Sequence, residues 1–428
     1  MIQIGPMPSG GATARTAPHT RLTERHVLAL GLSTSAVLVV SAAMIAALTT
    51  LGGRSPWPAI HLAVAGAATV AIGTFMPHFA VTLAGTRPRH VAERLIAIGF
   101  LAAGAAAAVT GITLHGSWLA GIGSAFMLAG IGVVAWETFE PLRDPLARRH
   151  HVVTVSYGAA LTQLAVGIAL GGLAAVNVSW VVAAWAHLRP AHAWLSLFGA
   201  ASLTIFATLV YLAPTVLGAR VRPSGWLIAG AVGMLAGPLA VAIGFALDAA
   251  AVVIAGMSLT LVGAIGQLGY VVDVARRRGP FSTEHDWRRV AAWHLGAGPA
   301  WYAAAIVVAL ADMVGGGRVA GWSIGPLAVP IIAGWLFQEL VGSWTHLVPS
   351  VTPGTPDDHA RQRRVLAVAW RTRLAATNAG VALAWSGAFL GIGPLAAAGG
   401  LLIGASVIVS IVLLARALRT ARYSLGSR

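Results

Sequence analysis

The sequence predicts an all-α integral membrane protein with about twelve transmembrane helices. Of its 428 residues, 57% are apolar and only 10% are charged, a balance far from that of soluble globular domains. Apolar runs long enough to cross ~30 Å of hydrocarbon recur along almost the whole chain. One such run also occurs three times in similar form, which predicts three pseudo-repeated four-helix modules.

The repeat is visible in three long segments, residues 60–89, 191–223 and 330–356. Aligning His78, Tyr211 and His346 gives offsets of 133 residues (from 78 to 211) and 135 residues (from 211 to 346). Glycines recur at the same offsets, at Gly66, Gly199 and Gly334. Solenoid repeats are much shorter than this, so the unit is a group of helices.

The chain divides into two tails and one membrane domain. Residues 1–24 are rich in Pro, Gly and Thr, which predicts a disordered cytoplasmic tail without a signal peptide. Residues 25–420 form the predicted twelve-helix domain, and residues 421–428 a second cytoplasmic tail. The predicted spans are residues 27–50, 57–84, 91–114, 117–138, 152–176, 191–217, 224–246, 249–275, 288–312, 324–349, 374–393 and 397–418.

The net charge of +15 comes from arginines that lie in alternate loops. One set of loops has arginines at 87, 89, 143, 148, 149, 220, 222, 276–278, 288, 289, 361, 363 and 364, and the other only Arg54, Arg189 and Arg318. Because cytoplasmic loops carry excess positive charge, both termini are predicted to be cytoplasmic, in the plasma (inner) membrane. Contact with anionic lipid head groups then explains the basic charge without nucleic acid.

Histidines near the outer ends of the predicted helices are the first candidate site. His61 and His192 begin corresponding helices of adjacent modules, so two imidazoles facing each other would ligate haem iron or share copper with His115 or His187. The alternative is that each is a buried histidine bonded to a backbone carbonyl or to water. The chain has no cysteine, which excludes disulfides and thiolate metal sites.

A second candidate group lies towards the inner side. His78 and His346 are equivalent by the repeat, and His294, early in the ninth span, is a further candidate ligand. Arg371 and Arg373 lie at similar depth and are candidates to hold haem propionates through paired hydrogen bonds. The alternative for these histidines is an ordinary helix-end contact.

Glu339 lies in the middle of the tenth predicted span. An ionisable group at that depth is expensive, which favours a function in proton or cation movement. The alternative is a hydrogen bond between helices. No P-loop, dinucleotide-binding fingerprint or HExxH motif stands out elsewhere.

Histidines on the second, sixth and tenth helices of three four-helix modules resemble the catalytic subunit of haem–copper oxidases. The segment HAWLSLFG from His192 to Gly199, followed by YLAP from Tyr211 to Pro214, is similar to segments of the related NnrS family. The resemblance implies haem b or copper bound by membrane histidines, in electron transfer or nitric-oxide or copper handling, with a cupredoxin or cytochrome as external partner.

The sequence also departs from the oxidase pattern. The seventh span has no histidine, and Leu327 and Val329 stand where the tenth helix of an oxidase has histidines. We therefore do not expect reduction of oxygen to water. Two other functions fit the sequence: a cofactor-free secondary transporter with a mid-membrane carboxylate, or a structural membrane subunit that docks a soluble redox protein.

Overall fold

The computed structural model describes residues 23–51, 55–143, 150–280, 285–352 and 354–423, and these ranges are helical without any β-strand. Residues 1–22, most of the predicted N-terminal tail, lie outside the described residues, as do residues 424–428 of the C-terminal tail. Glu24 was assigned to the tail from the sequence, but it begins the first helix.

Twelve long helices, numbered α1 to α12 in chain order, make up the described part of the chain. They are α1 Glu24–Leu51, α2 Trp57–Ala84, α3 Val91–Thr113, α4 Ser117–Leu142, α5 His151–Ala175, α6 Trp185–Leu217, α7 Gly225–Ala246, α8 Ala250–Arg276, α9 Asp286–Val314, α10 Gly325–Val351, α11 Trp370–Phe389 and α12 Gly393–Tyr423. Two shorter helices, Ser179–Ala183 and Pro356–Leu366, precede α6 and α11.

Eleven of these helices, all except α11, are long and apolar enough to cross a membrane. The predicted all-α membrane fold is therefore confirmed. Helix α11 overlaps the predicted span 374–393 but carries Arg371, Arg373 and Asn378 in its first half, which lowers its hydropathy. Its crossing of the bilayer stays a prediction.

Helices α2, α6 and α10 occupy the middle of the bundle. In their most apolar windows 56%, 78% and 72% of residues are buried, against 28–44% in the other spans. A helix that is surrounded by protein is buried on all its faces, whereas an outer helix leaves one face to lipid. The three segments that repeat in the sequence are therefore the inner ones.

Each inner helix contains a π-helical segment that includes its repeat glycine. The segments are Leu62–Ala68, Trp194–Ala201 and Pro330–Leu336, and each helix carries a proline further on, at Pro77, Pro214 and Pro349. Wider turns of this kind change the direction of the side chains that follow, and they occur often at functional sites.

Helices α3 and α4, α7 and α8, and α11 and α12 pack together in pairs through glycine. A Cβ atom on Gly104 of α3 would lie 2.7 Å from the carbonyl oxygen of Gly123 in α4, and one on Gly263 of α8 2.6 Å from the nitrogen of Met234 in α7. The same holds for Gly380 of α11, 2.9 Å from a carbonyl oxygen of α12. Such close backbone approach is how helices associate in lipid.

Candidate functional site: a facing histidine pair

His61 and His192 face each other at the end of the bundle where α2 and α6 begin. His61 lies in the first turns of α2, and His192 lies two residues before the π-helical segment of α6. Their ring centroids are 6.3 Å apart and their planes differ by only 4°. The structure therefore brings together the two histidines that the sequence singled out as the leading pair.

The Nδ1 atoms of both rings are held by backbone carbonyl oxygens. His61 Nδ1 is 3.0 Å from the oxygen of Trp57, and His192 Nδ1 is 2.7 Å from the oxygen of Gly167 in α5. A carbonyl oxygen only accepts, so each Nδ1 donates its proton, and in a neutral imidazole this leaves a lone pair on Nε2. Within the described ranges no residue forms a hydrogen bond to either Nε2.

Aromatic rings and a glycine enclose the pair. Trp57 stacks on His61 with ring centroids 4.1 Å apart, and Trp185 lies 6.2 Å from His192. A Cβ atom on Gly171 of α5 would lie 3.1 Å from Cε1 of His192, so the missing side chain there makes room for the ring. Both imidazole orientations are therefore fixed by packing as well as by hydrogen bonds.

The other predicted metal ligands do not join the pair. His115 is an exposed residue just after α3 with a φ of 57°, and His187 Nδ1 is 3.7 Å from Asp248 Oδ1. His294 lies in α9, and among the described residues no group of three or more His, Cys, Asp or Glu side chains forms a metal site. The donor set is two imidazoles.

The inner candidates have separate neighbours. His78 Nδ1 is 2.9 Å from Glu24 Oε1, the hydroxyl of Tyr211 bonds to His150, and the ring of His346 lies 6.1 Å from that of Trp287. In each case the partner stands at or beside the first residue of the preceding long helix, α1, α5 or α9. This recurrence agrees with the helix-end alternative for His78 and His346.

The arginines proposed for haem propionates are placed differently. Arg373 is 5% exposed, and its guanidinium donates to the carbonyl oxygens of Leu366 and Val368 and to Ser410 Oγ. These bonds satisfy the C-terminal end of the short helix before α11. Arg371 is exposed, with its guanidinium 5.2 Å from the ring of Trp370. We do not include either residue in the site.

A buried charge cluster escaped the sequence reasoning. Arg94 of α3 is 2% exposed and donates to Glu24 Oε1 at 2.9 Å and to the carbonyl oxygen of Thr74 at 3.3 Å. Burial raises the pKa of Glu24, but hydrogen bonds from His78 and Arg94 outweigh it, so the pKa lies below its ordinary value. The sequence feature that could have revealed this cluster is Arg94 itself, since an arginine inside an apolar run needs a partner.

Glu339 is buried in α10 at 5% exposure, and its carboxyl group packs against Gly298 of α9. Its Oε1 atom has no hydrogen-bond partner among the described residues. The hydrogen bonds nearby run to α11 instead: Gln338 of α10 bonds to Asn378, and Trp301 Nε1 of α9 donates to Asn378 Oδ1 at 2.7 Å.

No protein-family model matches the chain, and no curated protein matches it in sequence. The candidate site therefore depends on its geometry.

Proposed function

We propose that this protein binds haem b or copper in the membrane through His61 and His192, and that it serves in electron transfer or in nitric-oxide or copper handling. The facing pair carries the proposal, since its rings lie 6.3 Å apart. Two imidazoles that ligate one ion through bonds of ~2 Å place their ring centres ~6 Å apart. The separation of the two rings supports a metal between these histidines, whose Nδ1 atoms are already held by backbone carbonyl oxygens.

The surroundings of the pair support a redox metal. Carbonyl oxygens on both Nδ1–H groups fix the tautomer and raise the basicity of Nε2, as the partners of metal-binding histidines generally do. Two imidazoles without a third side-chain ligand among the described residues would hold haem iron more readily than copper in a three-ligand site. Bound haem would supply one-electron chemistry at this position.

The finer architecture belongs to the same proposal. We place three four-helix modules side by side, with the second helix of each in the middle and both termini in the cytoplasm of the cell, inside the plasma (inner) membrane. The π-helical segments, the glycine-packed helix pairs and the contacts of His78, Tyr211 and His346 support the threefold pattern. A cupredoxin or cytochrome outside is the proposed electron donor or acceptor.

A cofactor-free secondary transporter is the second candidate. The observation in its favour is the buried carboxyl group of Glu339, which has an unpartnered oxygen in the middle of α10. Intramembrane carboxyls of this kind mark ion pathways. Under this function the purified protein would carry no iron or copper.

Replacing the two histidines tests the metal proposal. His61→Ala and His192→Ala are each expected to lose most of the bound haem or copper, because each removes one of only two ligands. His115→Ala, which removes an exposed histidine at the same end of the bundle, is the matched control and should keep the cofactor. Cofactor content per protein is measured after size-exclusion chromatography, so that misfolded material is removed.

If both variants retain the cofactor of the unchanged protein, His61 and His192 are not its ligands and the proposal fails.

A further inference from the structure

Helices α9 and α10 carry three titratable side chains with unpartnered buried atoms. His294 is 1% exposed and lies beside the side chain of Gln338, but neither of its ring nitrogens reaches hydrogen-bond geometry with a described residue. Glu339 is 5% exposed with Oε1 unpartnered, and His346 has Nδ1 unpartnered. The two helices also carry unpartnered Nε1 atoms on Trp335 and Trp344, but only the three titratable side chains can bind and release a proton. Buried polar groups are nearly always bonded, so these three call for a ligand that is small and mobile.

The three groups lie at increasing depth from one side of the membrane. Helix α9 begins at Asp286 and α10 ends at Val351, and both ends adjoin segments rich in arginine, 276–289 and 361–364. With a rise of ~1.5 Å per residue, His346 lies ~8 Å, His294 ~12 Å and Glu339 ~18 Å from these ends. The hydrocarbon core is ~30 Å thick, so the series runs from the interface to the middle of the bilayer.

The surroundings of Glu339 provide no compensating charge. Its carboxyl group contacts Gly298, where a Cβ atom would lie 2.6 Å from Oε1, and Oε1 has no hydrogen-bond partner among the described residues. The charged neighbours lie near the histidines instead: Arg373 near His294, and Arg288 and Arg363 near His346. A carboxylate at this depth without a counter-charge is expensive, so the group must hold a proton or a cation.

We propose that Glu339 is a proton-binding site loaded from the arginine-rich side through His346 and His294. A metal cation would require several oxygen ligands, whereas no group of three or more His, Cys, Asp or Glu side chains surrounds Glu339 in the described part of the chain. The proposal stands independently of the metal at His61 and His192, because it uses different helices.

The transfer involves protons alone. A proton from interfacial water binds one nitrogen of His346 while the opposite nitrogen releases another towards His294, along bridging water. His294 repeats the exchange and delivers a proton to the carboxylate of Glu339, which becomes a carboxylic acid. Each imidazole is neutral again afterwards, and no electron moves. A neutral imidazole suits this role because it donates and accepts at once.

Infrared spectroscopy of the purified protein in lipid tests the site directly. Protonated Glu339 is expected to give a carboxylic-acid C=O band that shifts when the water is replaced by D₂O and that disappears in Glu339→Gln. Glu140→Gln is the control, since that carboxylate pairs with Arg89 at the surface, and it should leave the band unchanged. Absence of an exchangeable band assigned to Glu339 would overturn the proton site.

The route is tested by the rate of that deuterium shift. Positioned acid–base groups speed proton transfer by roughly 100-fold or more, so His294→Phe or His346→Phe is expected to slow the exchange at Glu339 by at least about tenfold. His115→Phe, an exposed histidine at the opposite end of the bundle, should have no effect. Equal exchange rates in all variants would contradict the route.

Chemical labelling of carboxyl groups in the protein without substitutions tests the proton site even if the variants do not fold. Dicyclohexylcarbodiimide reacts with protonated carboxyl groups in apolar surroundings, and we expect mass spectrometry to find the adduct on Glu339. Labelling confined to exposed carboxylates would contradict the proposal.

Discussion

Histidines near helix ends in this protein have different neighbours, and the neighbour decides what each can do. Carbonyl oxygens hold Nδ1 of His61 and His192 and leave Nε2 for a ligand, whereas a carboxylate holds Nδ1 of His78. The sequence placed all three at helix ends. It could not supply the partners, because Glu24 is separated from His78 by 54 residues and Gly167 from His192 by 25.

At the same scale, the buried pair of Arg94 and Glu24 is expected to be important for stability. Arg94→Met leaves Glu24 without its charged partner and should destabilise the fold by on the order of 3 kcal/mol. Arg89→Gln is the control, since Arg89 is 71% exposed and its pair should contribute less than about 1 kcal/mol. Thermal unfolding in detergent measures both, and equal melting temperatures would contradict the assignment.

The same cluster predicts a pH dependence. The folded-state pKa of Glu24 lies below its ordinary value of 4.5, so its ionised form stabilises the protein above that pH, and this stability is lost as the pH falls through the folded-state pKa. Glu24→Gln should therefore lower the melting temperature at pH 7 and reduce its fall on acidification. An unchanged acid profile in the variant would show that Glu24 does not contribute.

At the scale of the helix, small residues determine which pairs pack and aromatic residues fill the centre. Hydropathy was sufficient to predict eleven of the spans, because burial in lipid requires long apolar runs. It did not reveal the three π-helical segments, since an extra residue in a turn depends on packing and not on composition. The inner position of α2, α6 and α10 also arises from contacts between distant segments.

A glycine substitution tests the packing of α7 on α8. A side chain at Gly263 meets the backbone nitrogen of Met234 at 2.6 Å, so Gly263→Val should separate the helices and destabilise the protein by about 2 kcal/mol. Gly132→Val is the control, because nothing lies within 4 Å of its Cβ position. Melting temperatures compare the two, and equal losses would contradict the close approach.

At the scale of the whole molecule, charge and length together predict how the chain crosses the membrane. The proposed topology places both termini on one side, and this needs an even number of spans, so it predicts that α11 crosses the membrane despite Arg371 and Arg373. The structure buries Arg373 on backbone carbonyls, which lowers the cost of its charge at the helix end.

Labelling of single introduced cysteines tests this topology, because the chain has no native cysteine that could also react. Ile392→Cys, in the exposed turn between α11 and α12, should react with a membrane-impermeant maleimide added to intact cells. Arg222→Cys, between α6 and α7, should react only after the cells are opened. Labelling of both positions from outside, or of neither, would contradict twelve crossings with cytoplasmic termini.

The central claim, a metal held between His61 and His192, is tested most directly by an optical spectrum of the purified protein. The protein, expressed with haem and copper supplied, is measured oxidised and reduced with dithionite, with iron and copper quantified on the same sample. We predict a Soret band that shifts on reduction and about one iron per chain. A colourless protein without iron or copper would contradict the claim and favour the transporter.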